Sequence, residues 1–278
     1  MIEPETSRLS GDGLELAVDR WGDGGNPVIL MHGGGQTRHA WDGTARALVE
    51  RGWVAITYDA RGHGQSAWAS EDDYRLECLG RDLIAVASTL PAPPVLVGAS
   101  LGGYTGMYAV GKLGLRAKAL VLVDVAPQIE PAGVERIFAF MTGHEAGFAT
   151  IEEAADAVAG YLPHRRRPRN LDGLRKNLRL RDDGRYYWHW DPAFLTGVQR
   201  HRPSRILLED ERIVRSITIP TLLVRGRLSD LISEEGVAHF RKLVPHAEVV
   251  DVSDAAHMVA GDQNDRFARA VLEFLDRQ

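Results

Sequence analysis

Apolar runs of strand length alternate along the chain with longer stretches of helical period. Residues 14–21 alternate and predict an edge strand, while 28–31, 53–58, 95–97, 119–123 and 221–224 are short apolar runs bounded by turn residues. A last strand is expected at 248–252. Between them, residues 41–50, 74–90, 105–112, 233–244 and 264–275 carry apolar positions at helical spacing. Strand, helix, strand in this rhythm predicts βαβ units and a mostly parallel sheet with both faces covered by helices, an α/β class fold.

The rhythm breaks once. Between Pro127 and Ser216 no run reads as a buried parallel strand. The segment has helical patterns near 133–141 and 151–161. It turns basic at His164-Arg165-Arg166-Arg167-Pro168-Arg169 and aromatic at Tyr186-Tyr187-Trp188-His189-Trp190. The division expected is a core of residues 1–127 and 216–278 with a helical lid, 128–215, inserted in it.

Composition narrows the partners. The chain has 278 residues, 44% hydrophobic, enough for one sizeable core. A net charge of -5 with 26% charged residues points to neither nucleic acid nor a membrane surface. The lone cysteine, Cys78, permits no internal disulfide, and the amino-terminal stretch does not read as a signal peptide. No run approaches the roughly 20 apolar residues of a bilayer span. A cytoplasmic, soluble protein is the expectation, with a small molecule as its partner and both monomer and homodimer left open.

The polar and glycine-rich residues follow the strands, and ligands of open α/β sheets bind at the strands' carboxyl ends. Gly98-Ala99-Ser100-Leu101-Gly102 lies between a strand and a helix. A serine on so sharp a turn sits in a strained backbone, and its neighbours two residues away must be small for the chain to close. The helix start aims free N–H groups at developing negative charge. Ser100 is therefore the candidate nucleophile.

Serine needs a general base. Of ten histidines, His257 follows the last strand and precedes the last helix, where the order Ser, Asp/Glu, His puts it. For the acid that orients the imidazole, Asp230, a few residues past a strand end, is the first choice, and Asp124, ending the preceding strand, is the competitor. An oxyanion needs two donors. The N–H of Leu101 is one. The other is expected from His32-Gly33-Gly34-Gly35, at Gly34 in preference to Gly35, with His32 bracing the loop. No G-x-x-x-x-G-K-[ST] pattern follows, which excludes a P-loop reading.

These motifs, with Asp59-Ala60-Arg61-Gly62-His63-Gly64-Gln65-Ser66 and residues 226–230, resemble the α/β-hydrolase superfamily over nearly the whole length. With the Gly261-Asp262-Gln263-Asn264-Asp265 tail, they resemble its small bacterial esterases. The resemblance implies the α/β-hydrolase fold, structural roles for Arg61 and Ser66, no metal or organic cofactor, and a two-step acyl-enzyme hydrolysis of a small carboxylic ester. Epoxide hydrolases and haloalkane dehalogenases of this fold use an aspartate where this chain has Ser100, so those chemistries are disfavoured. A lactonase or carbon–carbon bond hydrolase with the same triad, and a non-catalytic ligand-binding member of the fold, are the rivals. The arginines from 165 to 169 read as a solvated basic loop or as partners for a substrate carboxylate. The aromatics from 186 to 190 read as pocket wall or as lid core, and Trp41 as core in preference to pocket wall.

Overall fold

The computed structural model describes residues 2–161, 171–201, 203–253 and 265–278. In chain order they form β1 (Glu5–Ser10), β2 (Glu15–Trp21), β3 (Asn26–Met31), α1 (Asp42–Val49), β4 (Trp53–Tyr58), α2 (Leu76–Ala87), β5 (Val95–Ala99), α3 (Leu101–Gly111) and β6 (Ala119–Val123). Then come α4 (Pro131–Thr142), α5 (Ile151–Tyr161), α6 (Asp172–Arg175), β7 (Leu178–Leu180), β8 (Tyr186–Trp188), α7 (Pro192–His201), α8 (Pro203–Glu209) and α9 (Glu211–Arg215). The chain returns through β9 (Thr221–Gly226), α10 (Glu234–Leu243), β10 (Glu248–Val252) and α11 (Asp265–Leu275). No helix among the described residues is long and apolar enough to cross a membrane.

Eight strands form one sheet in the order β1-β2-β4-β3-β5-β6-β9-β10. From β4 to β10 every neighbouring pair is parallel, and β2 joins β4 antiparallel. Successive residues of the central strands serve opposite faces. Val95, Val97 and Ala99 of β5 join a cluster with α1 and α11, whereas Leu96 joins the larger cluster with α2, α3 and α10. This explains why the strands read as unbroken apolar runs: both faces are buried.

The sequence placed an edge strand at 14–21, and here the structure corrects it. β2 is an inner strand, because β1 pairs with it antiparallel from Glu5↔Arg20 to Ser10↔Glu15. All residues of β1 except Leu9 are polar and exposed, so no alternation marks them. Their pairing is set by the tight turn at Gly11, whose N–H donates to the Leu14 carbonyl (2.7 Å), with Gly13 at φ +81°.

The chain between β6 and β9 contributes α4 to α9 and the small antiparallel pair β7-β8. Within it, α8 and α9 pack on α3. The Ser216 hydroxyl, just past α9, donates to the Gly111 carbonyl at the end of α3 (2.8 Å).

One buried ion pair ties the periphery of the sheet together. Arg61 is 2% exposed and Asp82 1%. The guanidinium donates to both Asp82 oxygens (2.7 and 2.9 Å) and to the carbonyls of Asp73 and Asp12 (2.9 and 3.0 Å). Removing one partner of such a pair strands a buried charge. Asp82→Ala is expected to cost about 3–5 kcal/mol in urea unfolding. The paired apolar replacement Arg61→Met with Asp82→Leu should cost clearly less.

Candidate active site

Ser100 follows β5 and opens α3 with φ 45° and ψ −111°. For a non-glycine residue this is a strained conformation, of the kind held only where the surroundings impose it. The surroundings here are backbone. A Cβ at Gly98 would lie 2.5 Å from the Gly102 oxygen and the Gly103 nitrogen, and one at Gly102 would lie 2.6 Å from the Met31 oxygen on β3. The G-x-S-x-G spacing is thus a requirement of closure between β5, α3 and β3. The Ser100 N–H donates to the Val123 carbonyl (3.1 Å), which sets the serine beside the end of β6, and the side chain stays partly exposed.

Gly33 lies against the serine: a Cβ there would be 3.4 Å from Ser100 Cβ. A Cβ at Gly34 would be 3.6 Å from the Phe194 ring. The Gly33 N–H donates to Gln36 Oε1 (2.9 Å), and the Gly35 N–H donates to His63 Nε2 (3.2 Å). Among the described residues the N–H groups of Gly34 and Leu101 have no hydrogen-bond partner. Of the two loop donors, the Gly35 N–H is thus used by His63.

Three buried histidines surround this loop, and each bridges backbone groups. His32 Nδ1 donates to the Gly33 carbonyl (2.8 Å) while Nε2 accepts from the Ala60 N–H (2.9 Å). His63 Nδ1 donates to the Arg61 carbonyl (3.0 Å) while Nε2 accepts from Gly35. His189 Nε2 donates to the Gly35 carbonyl (3.1 Å) while Nδ1 accepts from the Gly64 N–H (2.7 Å). A carbonyl can only accept and an N–H can only donate, so these partners assign each ring one neutral tautomer. Burial lowers all three pKa values. His63 falls well below its ordinary value, with His32 and His189 adding repulsion, and His189 falls to about 3. Asp59, nearby, opposes the shift at His32 and His189.

Asp59 anchors the turn beneath. Its carboxylate accepts from the Arg38 N–H (2.7 Å), Arg38 Nη1 (2.6 Å) and the Gln65 N–H (2.8 Å). Burial pushes this carboxyl up, but Arg38, His32 and the backbone donors outweigh it and hold it below the usual range. Ser66 donates from its hydroxyl to the Asp59 carbonyl (2.6 Å) and accepts from the Ala17 N–H (2.9 Å). With Arg61 on Asp82, both residues are occupied in holding backbone.

The two candidate acids differ in setting. Asp124 ends β6 at φ 51°, buried, with Oδ1 accepting from the Gly226 N–H (3.2 Å) and Oδ2 from the Ser229 hydroxyl (2.8 Å). Asp230 lies beyond β9. Its side chain is about a third exposed, Oδ2 pairs with Arg136 of α4 (2.8 Å), and Oδ1 is buried without a hydrogen-bond partner among the described residues. His257, Arg165 to Arg169 and residues 261–264 lie outside the described residues. The structure thus brings Ser100, Gly34, Leu101 and Asp124 to one edge of the sheet.

The aromatic stretch divides. Trp188 and Trp190 are buried and stacked (5.0 Å), and Phe140 and Phe148 pack on Trp188. Trp41 is fully buried in the core. His63 and His189 were not singled out from sequence. His63 sits inside a glycine-rich turn motif, and His189 inside an aromatic run, where nothing local distinguishes a bridging imidazole.

A mostly parallel sheet with a strained serine where a central strand turns into a helix defines the α/β-hydrolase class. The family profile described as alpha/beta hydrolase fold matches residues 26–262, and the chain belongs to that family. It is 28% identical over 279 residues to esterase Rv0045c of Mycobacterium tuberculosis, covering 98% of this chain and 88% of that protein. It is 29% identical over 263 residues to the 3-hydroxybutyrate-oligomer hydrolase of Cupriavidus necator, covering 90% and 89%. Among solved structures, E-2-(acetamidomethylene)succinate hydrolase superposes with a TM-score of 0.82 at 24% identity over 98% and 99% of the chains.

The histidine cluster makes stability depend on pH. With folded pKa values below 6.5, the unfolded chain binds more protons than the native one once pH falls under that value, so acid favours unfolding. Asp59 acts in the same direction below about pH 4. Between pH 6 and 5 His63 and His189 should each contribute a loss approaching 1.4 kcal/mol per pH unit, and His32 acts in the same direction. Urea midpoints measured from pH 7.5 to 5 should fall steadily, and a flat profile would contradict this assignment.

Proposed function

We propose that this protein is a serine hydrolase that cleaves a small carboxylic ester through an acyl-enzyme at Ser100. The observation that carries the reading is the strained serine at the sheet edge, with two backbone donors, Gly34 N–H and Leu101 N–H, that have no partner among the described residues. The names of the relatives, an esterase and an oligomer hydrolase, agree with it.

In this reading His257 takes the Ser100 hydroxyl proton as Oγ attacks the ester carbonyl. The Gly34 and Leu101 N–H groups receive the negative charge of the tetrahedral oxygen, and the start of α3 adds its dipole. His257 then protonates the departing alcohol. Water attacks the acyl-enzyme with His257 again as base and frees the acid. No step calls for a metal or organic cofactor. Residues 128–215 serve as the lid that shapes the acyl and alcohol pockets.

For the orienting acid, chain order ranks Asp230 first, while the local geometry gives Asp124 the stronger case. Asp124 is buried, held by a backbone N–H and a hydroxyl, and strained next to the nucleophile's strand. A carboxylate held in one orientation in this way suits the task of orienting an imidazole. Asp230 is the second reading, favoured by a buried Oδ1 that has no partner among the described residues.

Short p-nitrophenyl esters test the whole. Ser100→Ala should reduce kcat by about 10⁴-fold or more, and turnover surviving it would overturn the reading. Activity confined to lactones or to carbon–carbon substrates would reassign the bond, and binding without turnover would reassign the class. Asp124→Asn should lower kcat by on the order of 10³–10⁴-fold through the wrong imidazole tautomer, with Asp230→Asn much milder. The reverse order makes Asp230 the acid.

A further inference from the structure

The loop after β3 contains three consecutive glycines, so neither side chains nor β-carbon sterics fix the orientation of its peptide groups. In this structure each peptide is instead held from outside by a different histidine. The Gly33–Gly34 peptide is held at its carbonyl by His32 Nδ1 (2.8 Å) and by the Gln36 N–H (3.1 Å), leaving the Gly34 N–H pointing the opposite way. The Gly34–Gly35 peptide is held at its N–H by His63 Nε2 (3.2 Å). The Gly35–Gln36 peptide is held at its carbonyl by His189 Nε2 (3.1 Å).

The third contact bears on the first. The peptide that His189 grips at the Gly35 carbonyl is the one whose N–H, on Gln36, holds the Gly33 carbonyl. That carbonyl belongs to the same rigid plane as the Gly34 N–H. We propose that His189, delivered by the inserted segment, is a positioning residue that sets the Gly34 N–H as an oxyanion donor. The proposal rests on the serine hydrolase reading of Ser100.

His189 is itself firmly placed. Its Nδ1 accepts from the Gly64 N–H (2.7 Å), and the Trp190 ring meets it edge-on at 5.4 Å. Two residues on, the Asp191 N–H donates to the Gly62 carbonyl (2.8 Å) and Asp191 Oδ2 accepts from the Tyr74 hydroxyl (2.7 Å). Phe194 then lies edge-on to His63 at 4.4 Å and faces Gly34. Residues 188–194 therefore form a fixed buttress between the loop after β3 and the turn after β4.

The two ring nitrogens can be replaced separately. His189→Gln keeps an amide donor near the Nε2 position, and His189→Asn keeps an acceptor near Nδ1. The proposal expects His189→Gln to retain most of the wild-type kcat. It expects His189→Asn and His189→Ala to lose about 10- to 100-fold in kcat on a p-nitrophenyl ester, with KM within about threefold. Affinity for a trifluoromethyl ketone, whose adduct carries the oxyanion, should fall by a similar factor. Wild-type kcat and ketone affinity in His189→Asn, with only a lower Tm, would overturn the proposal. Should the Asn and Ala variants fail to fold, nitrogen-15 spectra of labelled histidine in the unaltered protein decide. The His189 Nε2 resonance should move when the ketone adduct forms and stay fixed in Ser100→Ala, and an unmoved resonance in the unaltered protein counts against the proposal. Ser100→Ala turnover reports separately on the underlying reading: its loss with normal His189 variants removes only the positioning role.

Discussion

The approach of backbone to backbone at the end of β5 is the constraint on which the site depends. Gly98, Gly102 and Met31 lie so close that any β-carbon at either glycine would overlap main-chain atoms. The turn between β5 and α3 can close only with Ser100 at positive φ. Closure lifts the serine to the sheet edge, frees the first N–H of α3, and brings the loop after β3 against the serine's Cβ. The strain at one residue is maintained by packing distributed over three elements, which is how a marginally stable chain can hold it.

A second constraint follows from the first. The glycines that let the loop after β3 approach Ser100 also leave its peptides free to rotate. Buried peptide groups need partners, and here neutral imidazoles provide them. Their neutrality is a consequence of burial, and it links the organisation of the site to the acid stability of the fold. Asp59, charged and saturated with donors, holds the turn on which two of these imidazoles rest. The same residues that order the loop therefore also tie the segment between β6 and β9 to the sheet.

Most of the sheet was legible in the sequence because its central strands are buried on both faces and appear as apolar runs. β1 was not, since its polar residues are exposed and its place is fixed by main-chain pairing with β2. The short pair β7-β8 was hidden for a similar reason: three-residue strands leave no period to read. The helices at 131–142 and 151–161 matched their patterns, because each buries one apolar stripe.

What the sequence determined by itself was the order of the chemistry: a small-Ser-small turn after a strand, a glycine loop after an earlier strand, carboxylates following two later ones. These are local requirements of covalent geometry and sterics, so they leave a signature in a few consecutive residues. Which glycine N–H stays unpartnered, how Asp124 and Asp230 differ in burial and partners, and that His189 reaches Gly35 from 154 positions away were decided only by tertiary structure. Each depends on where a distant segment comes to rest, and hydrogen bonds between segments have no spacing in the chain by which to recognise them.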